Sequence, residues 1–356
     1  MLEDAKKIKV NIYRNNIEEF KQLDLDYHNE EILNFFAELK DYKNNSVIGK
    51  ESLEVYFNEK SKIDPYKARK LVELIIKESK NSFWPKKGDL LGRCKIIELS
   101  GKGFTSHVYR AVHEFLGIEV AVKVLSDELK NDNPEIEKMF LQEAKNTAKL
   151  HHPNLVSIFD ADKGDKYTYM IMEFVNGIDL EQLIYDKGHL EYQEAIRVML
   201  KLCDALNYAL DKGIIHRDIK PGNIMISKTS EVKLLDLGLS KIVNNKNDLE
   251  EGNIVGTPIY MSPEQFIDSN SVDHRADLYS LGATFYHLLT GSEPFKTKSY
   301  REIIMQKVTS DDFIPIFKGE NYPDKIEKII SKLMARDKEE RYQSYNLLKN
   351  DLLMLI

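Results

Sequence analysis

One lysine constrains this chain more than any other residue. The run Glu119–Leu125, EVAVKVL, reads as a strand buried on both faces, and Lys123 sits in its middle. An ammonium buried among valines is costly unless an opposite charge meets it. A candidate partner is Glu143, in the helical pattern FLQEAKNTAKLHH. A glutamate on a helix ordinarily faces water, but its spacing from Lys123 favours a pair. The fold must therefore bring a strand and a following helix into contact around one ion pair.

The surrounding pattern agrees. From Leu90 to Val175 short Val-, Ile- and Tyr-rich strands predominate, interrupted by one helix over about 134–150. After Asn176 the reading turns helical, with segments expected at 191–212, 275–290, 299–308, 323–335 and 343–355. Two lobes, 88–175 and 176–356, are expected to meet near Glu173–Gly177. Residues 1–84 read as a small all-helical module: IDPYKARKLVELIIKES places Asp64 as a cap and Pro65 in the first turn. The break NSFWPKKGD, with Pro85 and Gly88, marks the expected boundary. The fold class is thus α+β, bilobal, behind a helical extension.

Composition removes some functions. A net charge of −7 argues against nucleic acid or an acidic membrane as a general partner, since both attract cationic surfaces. The start MLEDAKKIKV lacks a signal-peptide core and no apolar run reaches about 18 residues, so a cytoplasmic protein without a membrane span is expected, its input arriving by a soluble route. Cys94 and Cys203 have no metal-ligand or CxxC spacing and are expected to be reduced structural thiols.

The chemistry concentrates in His216–Ile224, HRDIKPGNI. Asp218 can accept a proton from an attacking hydroxyl, Lys220 can neutralise charge on a phosphoryl group, and Asn223 can offer an amide oxygen to a hard cation. In LLDLGLS, Asp236 ends a strand and is released by Gly238. It is either a turn cap or a metal ligand; the hairpin IMISKTSEVKLL between Asn223 and Asp236 favours convergence on one ion. LSGKGFTSHVYRAVH carries Gly101, Lys102 and Gly103 between two strands, where glycines let backbone amides approach phosphate oxygens, with Ser106 in place of a third glycine. Taken alone it could be a plain hairpin turn.

These motifs, with QEA, GTPIYMSPEQ, DLYSLG and ERY, stand in the order and spacing of the eukaryotic-type (Hanks-type) protein kinase superfamily, which the chain resembles from about Leu90 to Ile356. The resemblance implies a β-rich lobe over a helical lobe, with ATP and Mg2+, or Mn2+ in its place, in the cleft. It implies that Lys123, aimed by Glu143, meets the α- and β-phosphates, that Val108, Ala121 and Met225 sandwich the adenine, and that Glu173 and Val175 offer hinge backbone groups. Met172 becomes the gatekeeper and Asp179 reaches a ribose hydroxyl. Glu264 and Arg341 are expected to form a buried ion pair and Asp277 to hold the catalytic loop. Lys220 with Thr257 resembles the serine/threonine branch, and the wording of EAKNTAKLHHPNLV its bacterial members. Protein Ser/Thr hydroxyls, those of the chain itself included, are the implied acceptors.

Departures from the pattern qualify this. Leu237 replaces the usual phenylalanine after Asp236 and keeps an apolar plug, against which His216 is expected to pack. The loop Leu239–Ser262 offers only Ser240, Thr257 and Ser262 as aliphatic hydroxyls, and Thr257 is read as structural. Arg217 normally meets a phosphate on this loop; Asp248, Glu250 and Glu251 of DLEEG are either its substitute or a solvated acidic stretch. Two other functions compete: a pseudokinase scaffold, which would usually lack Lys123, Asp218, Asn223 or Asp236, and a small-molecule phosphotransferase, which would lack GTPIYMSPEQ. Residues 1–84 are left as regulator, partner-binding module or self-association element, docking on the kinase or on another protein.

Overall fold

The computed structural model describes residues 84–103, 105–127, 130, 134–164, 167–236, 258–268, 271–295, 299–309 and 322–356. The chain divides into the units Met1–Pro85 and Lys86–Ile356, and all the described strands and helices lie in the second. The expected helical module, apart from Trp84, lies outside the described residues, as do Leu237, Gly238, Ser240, Thr257 and the acidic stretch 248–252.

The first lobe is one antiparallel sheet of β1 (Leu90–Leu91), β2 (Cys94–Lys102), β3 (Ser106–His113), β4 (Glu119–Leu125), β5 (Ile158–Lys163) and β6 (Thr168–Glu173), ordered β1-β2-β3-β4-β6-β5. Strand β4 is central, which is why Val120 to Leu125 are all buried and why the run does not alternate. Helix α1 (Pro134–Thr147) packs against it through Ile136, Phe140 and Ala144, which cluster with Leu125 and Met170. Glu143 lies on that same buried stripe of α1. The burial of Phe140 and Ala144 therefore carries Glu143 toward Lys123.

The second lobe opens with β7 (Gly177–Asp179), α2 (Leu180–Lys187) and α3 (Tyr192–Asp211). A single 3-10 turn, Pro221–Asn223, leads into β8 (Ile224–Ser227) and β9 (Val232–Leu234), which form a three-stranded sheet with β7. Gly177 pairs with Ser227, where a Cβ would stand 2.0 Å from the Ile226 carbonyl oxygen. Only glycine lets these strands close. Helices α4 (Pro263–Ile267), α5 (Arg275–Thr290), α6 (Tyr300–Thr309), α7 (Asp324–Leu333) and α8 (Tyr345–Leu353) complete the lobe.

Helix α5 is buried from Ala276 to Leu289 and forms the axis of the large core. A helix apolar on nearly every side can sit only inside a protein. At Gly282 a Cβ would come within 2.6 Å of Leu333 Cβ, so the missing side chain sets how closely α5 and α7 cross. The expected helices at 191–212, 275–290, 299–308, 323–335 and 343–355 correspond to α3, α5, α6, α7 and α8, within two residues at each end. The short α2 and α4 were not expected; α2 depends on its cap, Asp179, which accepts from the Gln182 amide at 2.8 Å. Among the described residues no helix is long and apolar enough to cross a membrane. Cys94 and Cys203 are free and buried, and burial pushes the Cys203 thiol up to about 12.

Candidate active site

The loop between α3 and the 3-10 turn carries Asp218. Arg217, just before it, holds φ at 67°, a left-handed conformation that a long side chain adopts only under constraint. The constraint is Asp277, fully buried on α5. Its carboxylate accepts the His216 amide at 2.9 Å and the Arg217 amide at 2.7 Å, and Tyr345 Oη donates to it at 3.2 Å. Burial raises the Asp277 carboxyl above its ordinary range even against these donors. The Asp218 amide approaches His216 Nδ1 at 3.2 Å, so Nδ1 accepts and the opposite nitrogen donates to the Leu235 carbonyl at 2.8 Å. The imidazole is thus committed to holding the loop.

Asp218 itself faces Lys220, whose ammonium lies 2.9 and 3.2 Å from its two oxygens. The Asn223 amide nitrogen donates to the Asp218 carbonyl at 2.7 Å and to its carboxylate at 2.8 Å. That leaves the amide oxygen of Asn223 as the group for a hard cation. Asp236 follows β9 with φ at 50°, which turns its carboxylate out of the strand; 30% of the side chain stays exposed.

Lys123 joins the two lobes. Its ammonium stands 2.7 Å from Asp236 Oδ1 and 3.7 Å from Glu143 Oε1. Burial alone would lower the Lys123 ammonium; Asp236 and then Glu143 outweigh it and hold it above the ordinary lysine range. Burial would likewise raise Asp236, but Lys123 holds it below the usual carboxylate range. Glu143 is less well served: burial pushes it up to about 7 despite Lys123, and its Oε2 has no hydrogen-bond partner among the described residues.

An apolar cluster lies beside these charges. Ala121, Met172 and Val175 form one cluster with Val156, and Val108, Met225, Ile158, Phe174 and Leu235 pack against it. Five of these were named from sequence; Val156, Ile158, Phe174 and Leu235 were missed, and they carry no signal beyond being apolar. Register places Ala121 opposite Met172, and Asp179 opposite Met225. Glu173 is tied by Lys233 at 2.6 Å and by the Ser157 amide at 3.2 Å. Asp179 spends Oδ1 on its helix cap, leaving its second oxygen for a ligand.

Gly101 and Gly103 occupy the β2–β3 hairpin with Lys102 exposed between them. The Gly103 amide donates to the Ser106 carbonyl at 2.8 Å, and a Cβ there would stand 3.0 Å from that oxygen. Ser106 is buried under the turn.

The donor set fits a nucleoside triphosphate with a divalent cation. Asp236 and Asn223 supply two oxygens, too few to hold a hard cation alone but suited to one that shares phosphate oxygens. Lys123 and Lys220 supply the positive charge and the Met172–Val175 cluster the apolar slot.

Glu264 and Arg341 meet in two parallel bonds, 2.7 and 2.9 Å, and Arg341 also donates to the carbonyls of Ala335, Arg275 and Arg336. The pair joins α4 to the segment between α7 and α8. Gln265 was not singled out from sequence, although Ser262-x-x-Gln265 is a capping-box pattern. It caps α4 and donates to the Arg217 carbonyl at 3.0 Å.

Comparison with known proteins agrees with this geometry. The chain is 36% identical over 266 residues to a probable serine/threonine-protein kinase of Clostridium perfringens, covering 74% of this chain and 38% of that protein. It is 36% identical over 269 residues to the serine/threonine-protein kinase PknB of Mycobacterium tuberculosis, covering 74% and 43%. This chain therefore spans about two fifths of the length of these curated relatives. The crystal structure of the M. tuberculosis PknI kinase domain is similar in fold, with a TM-score of 0.61 at 24% identity over 76% of this chain and 99% of that one. The protein kinase domain family matches residues 94–353, and with this cleft the chain belongs to that family.

Proposed function

We propose that the chain is an ATP-dependent protein serine/threonine kinase, acting in the cytoplasm on Ser or Thr hydroxyls of other proteins and of itself. The observation that carries the reading is the joint commitment of Asp218, Lys220 and Asn223 within one loop held by Asp277. Bound Mg-ATP, or Mn-ATP, would supply the γ-phosphoryl group. Asn223 and Asp236 would hold the cation, with Lys123 and Lys220 on phosphate oxygens and the Ala121–Met172–Val175 cluster on the adenine. Asp218 orients the incoming hydroxyl and takes its proton, while Lys220 offsets charge beside it. Positioning and charge carry this chemistry; no covalent intermediate with the protein is needed.

Residues 88–356 form the kinase domain in this reading, and residues 1–84 a module that docks on it or on a partner. Asp248, Glu250 or Glu251 is proposed to substitute in charge for a loop phosphate toward Arg217; unchanged turnover after neutralising all three would sink that idea.

The test is transfer of labelled γ-phosphate to the chain and to a generic basic protein. Asp218→Asn should cost roughly 10²–10⁴-fold, and Asp236→Ala should lose transfer together with its dependence on the divalent cation. Nucleotide binding without any transfer by the native chain would favour a scaffold instead.

A further inference from the structure

Lys307 is a lysine that the active-site chemistry does not use, yet it is 3% exposed. It stands on α6, one turn after the buried Ile303, and points inward. Its ammonium donates to three main-chain carbonyls of one short segment: Pro258 at 2.8 Å, Ile259 at 2.8 Å and Met261 at 2.5 Å. The faces of Phe295 and Tyr279 lie 4.6 and 4.9 Å away. Three carbonyls require three N–H donors, and only the charged ammonium has three. Burial pushes Lys307 well below the ordinary lysine range, with Arg341 adding to that and Glu264 opposing it. The carbonyls and ring faces are therefore what retain the charge.

The segment it grips is fixed from two other sides. Ser280 Oγ donates to the Tyr260 carbonyl at 2.8 Å, and Tyr260 Oη bonds His287 Nδ1 at 2.7 Å. Next in the chain, Ser262 caps α4 with Gln265, which reaches the Arg217 carbonyl. Pro258–Ser262 is thereby tied to the loop that carries Asp218. In the kinase reading the hydroxyl substrate must reach Asp218, the residue after Arg217, whose carbonyl this segment's cap holds.

We propose that Lys307 is a positioning residue of the phosphoacceptor site, its ammonium setting the main-chain path of Pro258–Met261 along which a peptide substrate is laid. The inference rests on the kinase reading. It makes acceptor binding depend on a charge buried in the helical lobe, while ATP binding does not.

The experiment measures the KM for a defined Ser/Thr peptide, kcat, and the Kd for Mg-ATP in the full chain and in Lys307→Met. A misplaced platform should raise the peptide KM about tenfold or more, with a smaller change in kcat and an unchanged nucleotide Kd. Lys307→Arg, which keeps charge and donors, should recover part of the loss. A peptide KM within twofold of native in Lys307→Met overturns the proposal. Should Lys307→Met show no cooperative unfolding, Lys307→Gln is read by the same criterion, with Lys307→Arg kept as the rescue variant. A native chain that phosphorylates no peptide removes the kinase reading, and amide hydrogen exchange of residues 259–262 then decides the anchoring: faster exchange in the Lys307 variants supports it, and unchanged exchange overturns it.

Discussion

Lys123 stands a full ångström closer to Asp236 than to Glu143, at 2.7 against 3.7 Å. The lysine that joins the lobes is thus drawn first to the carboxylate that would hold a cation. Asp236 keeps its charge at Lys123's side, and Glu143 is left with a carboxyl at about 7.

That difference has a sign in pH. Glu143 binds a proton in the folded chain between its ordinary value of about 4.5 and about 7, where the unfolded chain does not. Its contribution to stability must therefore fall as pH rises through that window. Thermal unfolding of the native chain and of Glu143→Gln, followed from pH 5 to 7.5, should show a downward slope in the native chain that is reduced in the variant. Equal slopes would refute the assignment.

Asp277 predicts a separation of chemistry from nucleotide binding. Asp277→Asn places an amide where two backbone N–H groups and Tyr345 Oη now donate, and unsatisfied amides cost about 1–3 kcal/mol. A shift of Asp218 by about an ångström would slow transfer roughly 100-fold. Nucleotide affinity, measured by calorimetry, should stay near native. A variant with native kcat would show that the loop holds its shape without the carboxylate.

Glu264 and Arg341 predict loss of folding. Removing one partner of a buried pair leaves the other uncompensated, at a cost of about 3–5 kcal/mol. Glu264→Ala and Arg341→Met should each lower the denaturation midpoint by a comparable amount, and the double variant should lose less than their sum. Strict additivity in that cycle would mean the two residues act independently.

Gly177→Ala tests the floor of the proposed adenine site. The added Cβ would meet the Ile226 carbonyl at 2.0 Å and force β7 away from β8. Asp179 and Met225, cross-strand partners in that pair, would move with it. The Kd for ATP should rise about tenfold, by analogy with other displacements of roughly an ångström. An unchanged Kd would show that the strands separate without disturbing the slot.

Much of this cleft was legible because its chemistry demands particular residue types at fixed offsets. A lysine inside EVAVKVL has to be paired, and Asp218, Lys220 and Asn223 fall on one loop whatever the rest of the chain does. Glu143 was assigned inward from its spacing to Lys123; the stripe of Ile136, Phe140 and Ala144 that carries it there was a signal left unused. Sequence could not rank Asp236 above Glu143 as the partner of Lys123, because that choice depends on how far the lobes close. Nor could it mark Lys307, which in REIIMQKVTS reads as an ordinary solvated helical lysine. Its i, i+4 relation to Ile303 was the available signal, and its partners are carbonyls that no side-chain pattern displays.

Helix α5 carries Asp277, Ser280, Thr284 and His287, three or four residues apart and all buried. The first fixes the loop bearing Asp218 and the second and fourth fix Tyr260. One rigid rod therefore gauges the separation between Asp218, the proposed proton acceptor, and the proposed acceptor platform at Tyr260. Damage to the core around α5, even far from the cleft, should blur that gauge and misalign the two reactants while leaving the proposed nucleotide site intact.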